Sequence, residues 1–464
     1  MVGKVILNGH SSVKEFSAAR LVLFRVSCGA IAFGAAPPTN GFSELMRILF
    51  LAHRLPYPPD KGDRIRCFWD LKTLAMRHEI DLFCFCDSAA EKAHIEGLRR
   101  YCRRTYVEKL RWFTSRRRAV IAIAKGGPFT VGYYYSDSMA KAIAHALSST
   151  EYDAIFVYSS SMAQYVAEQV SVPVVMDMVD ADSDKWEQFA DYSTLPASWL
   201  WHKESERLSA YERGLVRRFA ATLACTPVEE TKLRKITPNA GIQVLMHPVD
   251  TAFFDPASVA VSPEIRAWQP YLIFTGSMDY LPNVDAVRYF YGNVLPVIRE
   301  TIPEIHFVIA GRNPVRSVRR LSDDPSVWVT GSVSDVRPLL RGAAAAVAPL
   351  RIVCGVQNKI LEALAMGLAV ATHHKVAQTL PAELAALLIV EDEPAVLGRR
   401  IVEALSTNGE PYRRSVRQKL TAYFHDTFAE GALETVLTRA ATAQKDFIHS
   451  PAAQGVLVNR KTVI

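Results

Sequence analysis

From Met46 onward the chain alternates short, unbroken apolar runs with longer segments of mixed composition. That alternation limits the fold more than any other feature. A run such as Arg47-Ile-Leu-Phe-Leu-Ala-His53 has no polar face, so it needs cover on both sides. Parallel strands sandwiched between helices provide that setting. In the first half the runs Arg47–His53, Glu79–Asp87, Tyr152–Ser160, Val172–Asp180 and Ala221–Thr226 are strand candidates. In the second half they are Tyr271–Gly276, His306–Gly311, Val327–Gly331, Ala344–Leu350, Leu368–Thr372 and Leu387–Glu391. Between them, Val287, Phe290, Val294 and Ile298 recur at three and four, which predicts a helix over Val284–Ile298. The expected class is α/β, with two doubly wound, Rossmann-like parallel-sheet domains facing a cleft.

Length agrees, since 464 residues suit two to three domains of roughly 150 residues each. With 49% hydrophobic and 22% charged residues, the composition excludes a disordered or fibrous chain. Domains are expected at 46–250 and 251–430, with a C-terminal helix and tail at 431–464. Pro248, Pro256, Pro263 and Pro270 mark the boundary. Residues 1–45 show no clear period and read as a disordered extension. Leu21–Ala36 is too short to span a membrane, and a signal peptide is the alternative reading there. The seven cysteines include no C-x2-C pair, which suits a reducing compartment. Cys84 and Cys86 alternate along one strand and are expected to face the core together.

Several chemistries are absent. No G-x-G-x-x-G follows a strand, and the P-loop, the G-x-S-x-G elbow and H-E-x-x-H are all missing. Asp180-Ala181-Asp182 is formally a D-x-D triplet, too short to establish a metal site, and no metal is expected.

The most informative stretch is Gly355-Val-Gln-Asn-Lys-Ile-Leu-Glu-Ala-Leu-Ala-Met-Gly367. It predicts a helix starting near Gln357 and ending with Gly367 just beyond its last turn. Lys359 then sits in the first turn, where a cation opposes the helix dipole. An anion at the helix start removes that conflict, because Lys359 and the free N–H groups at Gln357 and Asn358 would grip the same phosphates. Glu362 lies three residues on, among apolar neighbours. Such a carboxylate needs partners, and ribose hydroxyls would serve. An i,i+3 surface ion pair is the plainer alternative.

Other loops end strands of the same kind. Arg54-Leu-Pro-Tyr-Pro-Pro-Asp-Lys-Gly-Asp-Arg-Ile-Arg66 is stiffened by prolines, and Gly62 permits close backbone approach to phosphates from the opposite wall. Asp180, Asp182, Ser183 and Asp184 stand at a strand's carboxyl end, able to orient an acceptor hydroxyl or act as base. Helix capping by Asp182 or Ser183 fits as well. In the second half Gly276 and Arg312 also follow strands, Arg312 as a candidate phosphate partner.

Between Leu98 and Gly127 ten basic residues face a single acid, Glu108. Arg103, Arg104, Arg111, Arg116 and Arg117 are among them, with Trp112 and Phe113 interleaved. Basic residues with aromatic anchors suit an anionic membrane surface. A solvated basic face is the alternative, and nucleic acid is not expected because no recognition module accompanies the patch.

Taken together, these residues resemble the retaining nucleotide-sugar glycosyltransferases of family 4, which have the GT-B fold. The similarity is closest to the sugar transferases associated with PEP-CTERM/exosortase exopolysaccharide loci. It rests on Leu51–Asp63, Val157–Tyr165, Asp180–Trp186, Phe274–Asp285 and Gln357–Glu362, spread over residues 46 to 430. The resemblance implies a UDP- or GDP-sugar donor in the second domain, with Lys359 at the diphosphate, Glu362 at the ribose and Gly62 bordering the phosphates. It implies a polyprenyl-linked saccharide as acceptor and no metal or other cofactor. It further implies a peripheral location on the cytoplasmic face of the plasma membrane.

The chain departs from the family-4 pattern in three places. Cys354 stands where a Glu is common, eight residues before Glu362. Met246-His-Pro-Val-Asp250 replaces Pro-Asn-Gly-Val-Asp, and no Gly-rich loop follows Thr372. The alternatives to an active transferase are therefore a non-catalytic relative that binds sugar nucleotide or glycan, and a GT-B nucleotide-sugar epimerase.

Overall fold

The computed structural model describes residues 45–449, apart from 60–61, 167–170, 180, 238–240, 247, 408 and 428–430. The expected extension lies outside the described residues except for Leu45, as do Asp180 and the tail past His449.

Two parallel sheets form the frame. The first has seven strands: β1 (Arg47–Ala52), β2 (Glu79–Cys86), β3 (Arg104–Lys109), β4 (Ala154–Tyr158), β5 (Val174–Asp177), β6 (Ala221–Ala224) and β7 (Ile242–Val244). Their order is β3-β2-β1-β4-β5-β6-β7. The second has six: β8 (Tyr271–Thr275), β9 (His306–Ala310), β10 (Val327–Gly331), β11 (Ala345–Ala348), β12 (Val370–Thr372) and β13 (Leu388–Val390), in the order β10-β9-β8-β11-β12-β13. Each expected apolar run forms a strand. β3 and β7 were not anticipated. β3 begins and ends with charged residues and β7 has only the three residues Ile-Gln-Val, so neither carries a continuous apolar run.

In the first sheet each central strand feeds two cores. Ile48, Phe50 and Ala52 enter one cluster, and Leu49 and Leu51 the cluster on the opposite face. Period-2 alternation in a strand covered on both sides produces this division. Cys84 and Cys86 share the first of these clusters and are buried free thiols. The helix expected over Val284–Ile298 is present but interrupted: Leu281–Tyr289 and Leu295–Thr301 flank a π turn at Phe290–Val294. Pro296 has no N–H and its ring crowds the preceding turn, which accounts for the widening there.

In both sheets the strand order reverses direction beside the first strand of the set, between β1 and β4 and between β8 and β11. Crevices at such reversals, outside the carboxyl ends of the strands, are where ligands of doubly wound sheets bind. In the first domain the loops lead into α1 (Gly62–Ala75), α2 (Trp112–Ala124), α3 (Phe129–Tyr133), α4 (Asp137–Ser149), α5 (Asp182–Asp191) and α6 (Ala197–Arg218).

The chain crosses between the domains twice. Leu245 belongs to the first core and Met246 to the second. Further on, Phe424 packs in the second core, whereas Leu433, Val436, Leu437, Ala440 and Ala441 complete the first. The helix Ala432–His449 therefore returns to the first domain, fastened outside by Arg77 to Glu434 at 2.8 Å.

Candidate active site

The helix expected after β11 spans Asn358–Ala365. Gly367 ends it with φ +75°. The Leu368 N–H donates to Ala363 O and the Gly367 N–H to Leu364 O, both at 2.9 Å. This paired C-terminal cap requires the left-handed conformation that glycine adopts without strain. At the other end Gln357 is the N-cap residue, but its side chain turns back to Cys354 O and does not cap the helix. The first-turn N–H groups thus have no side-chain acceptor at the cap.

Lys359 projects from this first turn. Its Nζ donates to Asn283 Oδ1 at 2.6 Å and lies 4.9 Å from the centre of the Phe274 ring. Burial lowers the Lys359 pKa to about 8, against the pull of the nearby Glu362 carboxylate. Burial likewise raises Glu362 to about 7, against the pull of Lys359. The two groups are half-buried neighbours whose charges support each other only in part. A surface ion pair does not describe them.

Asn283 was not anticipated. It joins three elements: its Nδ2 donates to Ser277 O at 2.9 Å, and its Oδ1 takes the lysine. A Cβ on Gly276 would sit 2.6 Å from that Nδ2, so glycine is what lets the β8 loop wrap the amide. The neighbouring β9 loop is equally close, since a Cβ on Gly311 would fall on Gly276 O. Arg312 follows, with its Nε 3.4 Å from Ser277 Oγ. Hydrogen bonds from Ser277 and Asn313 hold the Asp279 carboxyl below its ordinary pKa, against the upward push of burial. The sequence signal for Asn283 is a lone amide among apolar residues in the first turn after Pro282.

The first domain meets this cluster at Gly62. A Cβ there would lie 3.4 Å from Asn358 Nδ2, so the two predicted donor-side residues do come together from opposite walls. The buried Asn358 Oδ1 has no hydrogen-bond partner. Three arginines around Gly62 are engaged internally: Arg54 with Asp63 at 2.7 Å, Arg64 with Glu91 at 2.6 Å, and Arg66 with Asp177 at 2.7 Å. Against burial, hydrogen bonding from His53 and the charge of Arg54 hold Asp63 well below the usual carboxylate range.

Asp182 opens α5, where Lys185 Nζ donates to its Oδ1 at 2.9 Å. The expectation for Asp180 falls outside the described residues. The turn before it is held by Asp177, whose Oδ1 accepts the Val179 N–H at 2.8 Å while Val179 adopts φ +66°. A β-branched residue in that region is strained and persists only where its surroundings fix it. Ser183 Oγ donates to Glu212, whose pKa burial raises to about 8. Among the described residues no group of three or more His, Cys, Asp or Glu converges as metal ligands would.

The basic stretch divides into two parts. Arg103 and Arg104 lie at the start of β3, whereas Arg111, Trp112, Arg116 and Arg117 lie beyond its end, at α2. Six strand residues span almost 20 Å, so they are not one patch. Arg103 is moreover bound to the buried Asp81 carboxylate, which corrects the expectation that it faces a membrane or acceptor. The outward face of α2 does carry Trp112, Phe113, Arg116, Arg117, Val120 and Ile121, all exposed, while Ser115 and Ala119 face inward.

Comparison with known proteins bears on both domains. Residues 269–407 match the family described as Glycosyl transferases group 1, a span that includes Asn283, Arg312, Lys359 and Glu362. Among solved structures, Anabaena HepE in complex with UDP and glucose aligns over 86% of this chain and 100% of its own, at 13% identity and TM-score 0.56. A glycosyltransferase from Rickettsia africae aligns over 88% of this chain and 100% of its own, at 12% identity and TM-score 0.54. A variant of S. aureus TarM, in complex with fondaparinux, alpha-GlcNAc-glycerol and UDP, aligns over 86% and 100%, at 8% identity and TM-score 0.57. The fold is GT-B. No curated protein sequence matches the chain. The GT-B architecture and the family match together support a glycosyltransferase.

Proposed function

We propose that this GT-B protein is a retaining, metal-independent glycosyltransferase. It moves a sugar from a nucleoside diphosphate to a polyprenyl-linked glycan on the cytoplasmic face of the plasma membrane, in exopolysaccharide assembly. The observation that carries the donor half is the cluster at the start of the Asn358–Ala365 helix. There a half-buried lysine bound to a neutral amide, uncapped N–H groups and a half-buried carboxylate stand together opposite Gly62. Lys359 and the helix start take the diphosphate, with Arg312 beside them, and Glu362 accepts from the ribose hydroxyls. The rate then comes from holding donor and acceptor together and from meeting the charge that grows on the leaving diphosphate. HepE bound to UDP-glucose and TarM bound to UDP favour a nucleotide-sugar donor.

The acceptor half rests on α2. Trp112, Phe113 and Val120 are each more than 60% exposed, on a helix face with Arg116 and Arg117 between them. Among the described residues no helix is long and apolar enough to cross a membrane, so contact with lipid falls to faces of this kind. Co-sedimentation with phosphatidylglycerol vesicles, lost on Trp112→Ser with Phe113→Ser and absent with phosphatidylcholine alone, is the expected result.

The deciding experiment is a thermal-shift titration with UDP- and GDP-sugars beside Glu362→Ala. A specific ligand at 100 times its Kd adds roughly 2.7 kcal/mol of stability. A shift with one donor class, lost in the variant, supports the reading, and absence of any shift in the folded protein sinks it. Nucleotide release without any acceptor indicates the epimerase, and a shift without turnover indicates the non-catalytic relative.

A further inference from the structure

The two edges of the GT-B cleft are joined by one helix of the first domain. Along α5, Gln188, Phe189 and Tyr192 each reach the second domain. The Phe189 ring lies 6.4 Å from that of Tyr280, in the loop after β8. The Tyr192 hydroxyl donates to Arg351 O at 3.3 Å. The contact between them is the most specific. Gln188 Nε2 donates to Val353 O at 2.8 Å, and Gln188 Oε1 accepts the Val353 N–H at 2.9 Å. A side-chain amide thus pairs with both groups of one peptide, as a neighbouring strand would. The same Nε2 lies 3.1 Å from Asp184 Oδ2, one helical turn back, and 3.4 Å from Cys354 Sγ. Gln188 is 7% exposed and Val353 5%, so water does not compete for these bonds.

What Gln188 joins gives the contact its meaning. Its helix begins at Asp182 and Ser183, at the carboxyl edge of the first sheet. Val353 lies in the loop from β11 to Gln357, the N-cap of the helix that carries Lys359 and Glu362. Only three residues separate Val353 from that N-cap. A shift of α5 against Val353 therefore moves the acceptor-side edge relative to the donor-side helix. The donor groups themselves, Asn283, Arg312, Lys359 and Glu362, all belong to the second domain and make no use of Gln188.

We propose that Gln188 is a positioning residue: through the Val353 peptide it sets the registry between the acceptor-side edge at α5 and the donor-binding helix start. Its amide is needed for both halves of the contact. A carboxylate cannot donate to Val353 O, and an alanine can neither donate nor accept. Asparagine keeps the amide but falls one methylene short.

The test compares Gln188→Ala, Gln188→Glu and Gln188→Asn with the unaltered protein, using UDP and UDP-glucose as probes. Hydrogen exchange over residues 352–356 reads the contact, small-angle scattering reads the domain arrangement, and calorimetry with UDP reads the donor site. Turnover of UDP-glucose reads the registry. The expected result for alanine and glutamate is exchange at Val353 faster by about tenfold or more, an increased scattering radius, UDP affinity within about threefold of wild type, and kcat lower by about tenfold at similar donor KM. Asparagine should fall between them and wild type.

Unchanged exchange and scattering would overturn the proposal. So would UDP affinity and melting temperature falling in step with kcat, which would mark Gln188 as merely structural. The kinetic readout rests on the proposed transfer reaction, whereas exchange and scattering do not. If wild type binds neither UDP nor GDP and turns over neither UDP-glucose nor a GDP-sugar, the transferase reading loses its support, and exchange with scattering still decides the role of Gln188.

Discussion

The two walls of the cleft handle charge in opposite ways. On the first-domain wall each arginine of the Arg54–Arg66 segment has a carboxylate: Asp63, Glu91 and Asp177. On the second-domain wall Lys359 donates to a neutral amide, and its nearest acid is itself pushed toward the protonated form by burial. The first arrangement pairs each arginine with an acid of the protein and fixes the shape of loops. The second leaves positive charge in a sheltered place with its compensation unfinished, the condition under which a bound anion gains most. One edge is built as a scaffold and the other is the edge we propose as receptor, although their sheets share a topology.

Breaking the scaffold should have the largest effect. Arg66→Ala leaves Asp177 buried without its cation, beside Asp70, whose pKa burial and Asp177 already push well above its usual value. The expected cost is about 3–5 kcal/mol, seen as an earlier first transition in calorimetric melting. Breaking the receptor should do the reverse. Lys359→Met is expected to change melting little, because removal of a half-buried charge offsets the lost bond to Asn283, while UDP affinity falls by about 2–3 kcal/mol in titration calorimetry.

The pH dependence sharpens the contrast. Lys359 is charged below about 8 and Glu362 ionised above about 7, so both are in the binding form only between those values. UDP affinity is expected to fall roughly tenfold from pH 7 to pH 9 as Lys359 loses its proton. It should also fall on the acid side of 7 for ligands that carry the ribose. A flat profile from pH 6 to 9 would remove this pair from the site. The smallest effect belongs to Asn283→Ala, which frees Lys359 from its anchor. Binding of UDP should weaken roughly fivefold, with melting little changed.

Much of this arrangement was readable from the residues, for identifiable reasons. Central strands are covered on both faces, so Ile48–Ala52 and Tyr271–Phe274 had to be continuous apolar runs. Gly367 had to be glycine for its backbone angle, and Lys359 stood out because its position opposes the helix dipole. Two kinds of information were not readable. β3 is bounded by charged residues and β7 is only three residues long, so neither shows the apolar run that reveals the others. Partnerships across long separations were also hidden: nothing local marks Asn283 as the acceptor for Lys359, Asp81 as the sink for Arg103, or Val353 as the partner of Gln188. The sequence boundary near residue 250 lies close to the observed crossing at Leu245–Met246, since the prolines that signalled it begin at Pro248.

The double crossing has a mechanical consequence. Two bodies joined by a single thread can swivel, tumble and slide. Joined by two, as the core assignments of Leu245 and Met246 and of Phe424 and Leu433 show, they have fewer ways to move apart. A chain cut after the second-domain helices would lose its second thread, and it would also strip Leu433, Val436 and Leu437 from the first core.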